Sequence, residues 1–327
     1  MSESQLLFVV VNNAAARARL AWPRVREALT VAGVPFDAHE SSRPGETEER
    51  TRAALAASFR TVAVVGGDGT LSAAASGYFE PCDGLAAGER PRAINAEAAL
   101  AMLPAGTGDD FARGLAGGRR DTLEAWLTRL VAHCREQSTT RSVDVLMGSA
   151  RGGARNRFLC LNAATIGIGA EVASRVASQG PRARRLPGEL RFAWAALPAL
   201  AAQRRVSARV SVDGEVRVEC GMNLVAVANG PFAGGGMNFA PEASASDGLL
   251  DVVTVCRLSR AGLLRELARI HRGGHLANPK VKVMRGACVR VETLEESASL
   301  AIEADGDVRG RTPVEFSVMP AALRVVF

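Results

Sequence analysis

Residues Val62-Ala63-Val64-Val65 run without a break into Gly66-Gly67-Asp68-Gly69-Thr70-Leu71. A short, β-branched apolar run predicts a buried strand, here Thr61–Val65, and the glycines predict a tight turn at its end. Leu6–Val11 reads as another buried strand, stopping at Asn12-Asn13. Leu20–Ala32 has helical spacing and ends at Gly33, and Thr47–Ala57 reads as a second helix with charged residues in its first turn. Strand, helix and strand in this order predict a parallel α/β domain, whose ligands lie beyond the carboxyl ends of the strands. Ala98–Leu103 is a further buried strand, and helical spacing returns from Phe111 and over Leu123–His133. Pro81–Asn95 has turn residues and no period, so it reads as a surface excursion.

The texture changes after about Thr140. Ser142–Leu146, Arg157–Asn162, Ser207–Val212, Glu215–Val218, Asn223–Ala228, Leu250–Val255, Val289–Val291 and Leu300–Ile302 are short, β-rich and separated by turns. Asp213-Gly214 is a tight-hairpin signal. This half predicts an antiparallel β-sandwich, interrupted by helices near Glu189–Gln203 and Ala261–Ile270.

Glycines in a strand-to-helix turn let the backbone approach a phosphate with its N–H groups turned inward. A helix N-terminus behind the turn favours an anion. Asp68, enclosed by these glycines, suits Mg²⁺ held through water. A second segment, Leu103-Pro-Ala-Gly-Thr-Gly-Asp-Asp-Phe-Ala-Arg113, also follows a buried strand. Gly106 and Gly108 loosen its backbone, Thr107 offers a hydroxyl, and Asp109 and Asp110 bring carboxylates. Thr107 or Asp109 could equally serve as the N-cap of a helix starting near Phe111.

Composition narrows the partners. The net charge of +6, mostly arginine, suits a nucleotide, an anionic membrane or a nucleic acid. Aromatic residues are only 5 %, too few for a surface that reads bases by stacking, so no nucleic-acid partner is expected. The six cysteines lie more than four residues apart, giving no C-x-x-C pair, and are expected as buried thiols in a reducing cytosol. The opening residues lack a basic region and a long apolar run, so neither a signal peptide nor a membrane span is expected.

GGDGT followed by LPAGTGDDFAR resembles the diacylglycerol kinase catalytic-domain family, which includes bacterial lipid kinases and sphingosine and ceramide kinases. Later segments agree in order: Asn162–Ala170, Asn229–Pro241, Ala245–Asp251 and Asp305-Gly306-Asp307. The resemblance implies an N-terminal α/β ATP-binding domain, residues 1–140 with about 310–327 returning to it. It implies a lipid-binding β-sandwich over 141–309, with the reaction in the cleft between the two. The activity implied is transfer of the ATP γ-phosphate to the hydroxyl of a diacylglycerol- or ceramide/sphingosine-like lipid, with Mg²⁺.

The same resemblance implies roles for residues. ATP phosphates are expected against Gly66, Gly67, Asp68, Gly69, Thr70, Leu71 and Ser72, and against Gly106 and Thr107. Asn12, Asn13, Ala14, Ala15 and Ala16 stand where the family has an N-P-x-S-G-like loop, and Ser41 where it has a threonine near the nucleotide. Asp68 is expected to orient Mg²⁺. A second, structural cation is implied at the Asp247 carboxylate and the carbonyls of Ser244 and Leu249. Asp305 and Asp307 match the family's D-G-E, with Asp305 expected as the base and Asp307 as its support. Read alone, Asp305-Gly306 and Asp247-Gly248 are also ordinary turn pairs. The chain departs from the pattern at Asn13, Ala15 and Ala16, at Ser72-Ala73 in place of Asn-Glu, at Asp109 in place of Asn, and at Asp307 in place of Glu.

Arg182, Arg184 and Arg185 precede an apolar helix, and Arg204-Arg205 follow it. That arrangement suits peripheral contact with an anionic membrane surface, or a helix packed on the sandwich with solvated arginines. The expected location is the cytoplasm, at the inner membrane face. Two alternatives stand beside the lipid kinase: an NAD-kinase-like enzyme with a soluble substrate, and a catalytically weakened lipid- or nucleotide-binding protein.

Overall fold

The structure is a computed structural model that describes residues 7–82, 84–86, 88–136, 140–151, 157–180, 188–202, 206–295 and 297–327. Side chains at 177, 188–193 and 202 are not among those described. Arg182, Arg184, Arg185, Arg204 and Arg205 lie outside the described residues. The chain divides into two compact units, Met1–Asp144 with Pro320–Phe327, and Val145–Met319.

The first unit alternates strand and helix: β1 (Leu7–Asn12), α1 (Ala16–Val31), β2 (Phe36–Ser41), α2 (Glu46–Ala56), β3 (Thr61–Gly66), α3 (Asp68–Gly77), β4 (Ala99–Pro104), α4 (Asp110–Leu115) and α5 (Leu123–Cys134). β1 pairs in parallel with β2 on one side and β3 on the other, and β3 pairs in parallel with β4. All six residues of β3 are buried, which is why its sequence is an unbroken apolar run. Each buried valine there contributes roughly 1.5–3 kcal/mol relative to exposure. β2, sequence FDAHES, is an edge strand with only Ser41 buried, so it carries no apolar run for sequence reading to detect.

The second unit holds β5 (Thr140–Arg151), which enters it from the first, then β6 (Arg157–Cys160), β7 (Ala163–Gly167), α6 (Ile168–Ala177), α7 (Gly188–Ala202), β8 (Val206–Val212), β9 (Glu215–Ala228), β10 (Phe232–Ala233), β11 (Met237–Asn238), β12 (Leu250–Cys256), α8 (Arg260–Ile270), β13 (Val281–Gly286), β14 (Cys288–Thr293), β15 (Ala301–Ala304) and β16 (Asp307–Val326). Its main pairings are antiparallel and close a circuit, β9–β7–β15–β16–β14–β8 and back to β9. Long strands make the corners. The first half of β9 pairs with β8 and its second half with β7 and β12. One apolar core, including Ile166, Val210, Val225, Val252, Val289, Ile302 and Phe316, fills the inside. The opposite faces of β9 and β12 pack through Ala226, Val253 and Val255 against Leu263 and Ile270 of α8. The predicted hairpin at Asp213-Gly214 is present, with both residues at positive φ. β16 runs through most of this unit, and its last residues pair in parallel with β4 in the first, Arg324 against Ala99 and Val325 against Leu100.

The cysteine expectation is corrected. Cys220 of β9 and Cys256 of β12 form a disulfide with Cα atoms 6.1 Å apart. The strands are antiparallel neighbours, so residues 36 apart in sequence meet, which spacing alone does not reveal. Of the other four cysteines, only Cys160 is fully buried.

Candidate active site

Three loops lie at the carboxyl ends of β1, β3 and β4, which are adjacent in the sheet. Asn12, the last residue of β1, donates from Nδ2 to Thr70 Oγ1 at 2.8 Å and accepts at Oδ1 the Ala14 N–H at 3.1 Å. It thereby ties the first loop to the opening turn of α3. Arg17, in the first turn of α1, donates to the Gly106 carbonyl at 2.7 Å, and the Ala105 N–H donates to the Gly66 carbonyl at 2.9 Å.

The glycines have a steric reason. A Cβ on Gly106 would lie 2.6 Å from the Gly67 Cα, and one on Gly66 would lie 2.7 Å from the Thr70 Cβ. The two turns touch backbone to backbone, an approach that a side chain at either place would force apart. Between the ends of β3 and β4 a small solvent-open cleft is lined by Gly66, Gly67, Asp68, Leu71, Pro104 and Asp109, among others.

Asp68 opens α3, and its Oδ1 accepts the Phe111 N–H at 3.1 Å, at the start of α4. One carboxylate therefore joins the two motifs that sequence reading singled out. Asp109 caps its own loop, accepting the Gly106 N–H at 2.9 Å, and sits in the left-handed region at φ 50°. Burial, then the neighbouring Asp68 charge, push its carboxyl up to about 6, against the pull of the Gly106 N–H, Arg120 and Arg17.

This shift has a measurable sign. Between the ordinary value of 3.8 and about 6, the folded state holds a proton at Asp109 that the unfolded state releases. The group's contribution to stability therefore falls as pH rises through that window. Asp109→Asn keeps an oxygen for the Gly106 N–H and removes the charge. The variant should be more stable than the parent at pH 7, on the order of 1–2 kcal/mol after discounting for solvent screening. The gain should vanish near pH 4. Thermal melts of both proteins across that range check it, and a pH-independent difference would refute it.

The other expected nucleotide residues are placed unequally. Gly69 and Thr107 are exposed, as are Ala14 and Ala16, while Asn13 and Ala15 are half-buried. The Asn13 carbonyl accepts from Arg19 at 2.8 Å. Leu71 and Ser72 are buried. Ser41 does not face open space: its hydroxyl is buried, bonded to the Val11 carbonyl at 3.2 Å and to Thr47 Oγ1 at 2.9 Å. It pins β2 to β1 and to the start of α2.

The second unit carries the other acidic motif. Asp305 and Gly306, at φ 48° and 94°, form the two-residue turn between β15 and β16. Both Asp305 oxygens are engaged: Oδ2 accepts the Leu161 N–H at 2.6 Å, and Oδ1 accepts the N–H groups of Asn162 at 3.1 Å and Ala163 at 3.2 Å. The Asp307 side chain is 75 % exposed, with Arg309 at 3.3 Å. Sequence reading missed Glu303, two residues before the turn. It is buried, accepting the Thr165 hydroxyl at 2.6 Å and the Gly306 N–H at 2.5 Å. Burial is the main cause that raises its carboxyl to about 7, with Asp305 and Asp307 adding to it. The signal was an acid between Ile302 and Ala304 in an otherwise apolar strand.

At the expected structural cation site the Asp247 carboxylate is already engaged by protein groups. Asp247 Oδ1 accepts the Leu249 N–H at 3.1 Å, and Oδ2 is paired with the Arg285 guanidinium, which also holds Asp251 at 3.2 Å. Ser244 lies nearby through Ser246, hydroxyl to hydroxyl at 3.3 Å. The positive charge beside Asp247 is thus an arginine from β13, the strand paired with β12, and no step below uses a cation there.

Comparison with known proteins agrees with the two-part fold. Residues 6–146 match the diacylglycerol kinase catalytic domain, and residues 164–327 match the YegS C-terminal NAD kinase beta sandwich-like domain. A Pseudomonas aeruginosa (strain UCBPP-PA14) protein described as "Probable lipid kinase YegS-like" is 32 % identical over 86 % of this chain and 81 % of its own. The "Diacylglycerol kinase" of Mycobacterium tuberculosis (strain CDC 1551 / Oshkosh) is 30 % identical over 84 % of this chain and 79 % of its own. A crystal structure of a diacylglycerol kinase from Bacillus anthracis str. Sterne shares the fold, with a TM-score of 0.64 at 16 % identity over 100 % of this chain and 98 % of that one. The chain belongs to the diacylglycerol kinase and YegS-like lipid kinase family, a family of phosphotransferases.

Proposed function

We propose that the chain is an ATP-dependent lipid kinase that phosphorylates the hydroxyl of a diacylglycerol- or ceramide/sphingosine-like lipid. The observation that carries the reading is the backbone contact of Gly67 and Gly106 at the strand ends, with Asp68 bridging both turns. Such a cradle offers N–H groups to phosphate oxygens at positions no side chain blocks.

Asn12 and Thr70 hold the two loops that would flank the phosphates, and Arg17 braces the third from its carbonyl side. The neighbouring carboxylates of Asp68 and Asp109 suit Mg²⁺, a hard cation that takes oxygen ligands. When bound, Mg²⁺ supplies charge neutralisation for the transferring phosphate. The lipid hydroxyl oxygen forms its bond to the γ-phosphorus as the bond to the ADP oxygen breaks, and its proton passes to a carboxylate. We assign that proton to Asp307. The sequence-based choice of Asp305 is set aside because both its oxygens are committed to the 161–163 backbone. Asp305 is then a positioning residue for the turn that carries Asp307.

The test is incubation with labelled ATP and a panel of diacylglycerol, ceramide, sphingosine and phosphatidylglycerol, followed by identification of the product. A phosphorylated lipid is expected. Labelled NADP formed from NAD without lipid would instead establish the soluble-substrate enzyme. Bound ATP with no product would establish a binding protein.

A further inference from the structure

Helix α7 is apolar on two faces. From Trp194 to Ala201 it carries no polar side chain. Ala195, Ala196 and Ala199 are buried against Val172 and Val176 of α6 and Leu267 of α8, and Leu200 is buried in the adjoining cluster. The remaining positions, Trp194, Leu197, Pro198 and Ala201, are exposed. They recur at helical spacing, so they form one stripe. Trp194 is 71 % and Leu197 58 % exposed, the former the largest apolar side chain left in water among the described residues. A helix that is apolar all round is ordinarily covered on every side, and this one is covered on one.

Its neighbour supplies charge. α8 packs on α7 through Leu267, and turns outward Arg260, Leu264, Arg265 and Arg269, with Arg272 just beyond its end. Arg265 and Arg269 share one acid, the buried Glu266, at 3.4 and 3.3 Å. Four arginines against one glutamate leave this element strongly positive.

We propose that the Trp194–Leu197 stripe of α7, with the α8 arginines, docks this protein on an anionic bilayer surface. The inference rests on the lipid-kinase reading above, whose acceptor resides in a membrane. Tryptophan prefers the level of the lipid headgroups, leucine enters the acyl boundary, and arginine meets the anionic headgroups while its stem lies along apolar surface. An acidic soluble partner would satisfy the arginines. It would leave unexplained a tryptophan and a leucine one turn apart with no polar group between them.

The experiment is vesicle flotation of the full chain, on phosphatidylcholine alone and on phosphatidylcholine with phosphatidylglycerol, at low and high salt. Binding to the anionic vesicles is expected, and it should weaken with salt. Trp194→Ser/Leu197→Ser should weaken it by about tenfold or more. Arg260→Gln/Arg272→Gln should weaken it roughly fivefold per arginine on anionic vesicles only. Both variants alter exposed side chains, so their melting temperatures should match the parent, and phosphorylation of a short-chain, water-soluble lipid should be unchanged. Trp194 emission should shift to the blue on binding, since Trp22 and Trp126 are already buried. The proposal is overturned if the Trp194→Ser/Leu197→Ser variant floats like the parent. It is also overturned if the parent is a dimer that this variant dissociates, with no vesicle binding in either. Trp194-dependent flotation without lipid phosphorylation would uphold the docking face and remove the kinase reading. Lipid phosphorylation with flotation indifferent to Trp194 would do the reverse.

Discussion

Asp307→Asn is expected to lower kcat for lipid phosphorylation by roughly 10²–10⁴-fold, the usual cost of removing a general base. Its urea midpoint should hardly move, because the side chain is 75 % exposed and such a surface ion pair as that with Arg309 is worth little. Asp307→Glu should be tolerated, since it keeps the carboxylate and lengthens its reach. Asp305→Asn should behave differently. The carboxylate accepts three backbone N–H groups, and an amide can present only one oxygen to them while turning its own N–H₂ toward another donor. Hydrogen bonds to a charged acceptor are worth about 1.5–3 kcal/mol each, so a loss of roughly 2–4 kcal/mol is expected. Turnover would fall with it, through the displaced turn. Urea unfolding and single-turnover kinetics on both variants separate the roles. A stable but inactive Asp305→Asn, beside an active Asp307→Asn, would return the base to Asp305.

In the proposed reaction Asp68 serves the nucleotide side. Asp68→Ala should reduce phosphoryl transfer by about 10²-fold or more, the scale for losing a group that stabilises transition-state charge. It should also cost about 1 kcal/mol of stability, since the Phe111 N–H loses its acceptor. Asp68→Asn isolates the charge: it retains an oxygen for Phe111, so the melting temperature should hold while transfer still collapses. Either change should let the Asp109 carboxyl fall from about 6, because the Asp68 charge is one of the causes holding it up. Near-parental turnover in Asp68→Asn would remove Asp68 from the reaction and leave it as a brace.

Local features of this molecule were readable from the sequence, and pairings across distance were not. β3 and its glycine turn stand out because a strand buried on both faces needs an unbroken apolar run. The sequence texture changes near residue 140, and the two compact units divide between Asp144 and Val145. β2 and β13 were missed because most of their residues are exposed or half-buried without alternation, leaving neither an apolar run nor a period of two. The glycines were read as phosphate ligands, yet their first physical reason is that residues 67 and 106 touch. That contact, like Asp68 on Phe111, Asp305 on residues 161–163, Arg285 on Asp247, and Cys220 on Cys256, joins positions tens of residues apart. No periodicity encodes such pairs. The motif strings located the acids, and the fold decided which oxygens remain free.

The path of β16 bears on how the chain is made. Its last residues pair with β4, and Phe327 stacks edge-on with Trp126 and lies beneath Arg129 and Arg141. As the ribosome extends the polypeptide, residues 7–144 emerge with one flank of β4 unpaired. They must wait for some 180 further residues before that seat is filled, in a process where segments generally fold as they appear. The nascent first unit therefore presents an open strand edge throughout synthesis of the second, a natural client for a chaperone.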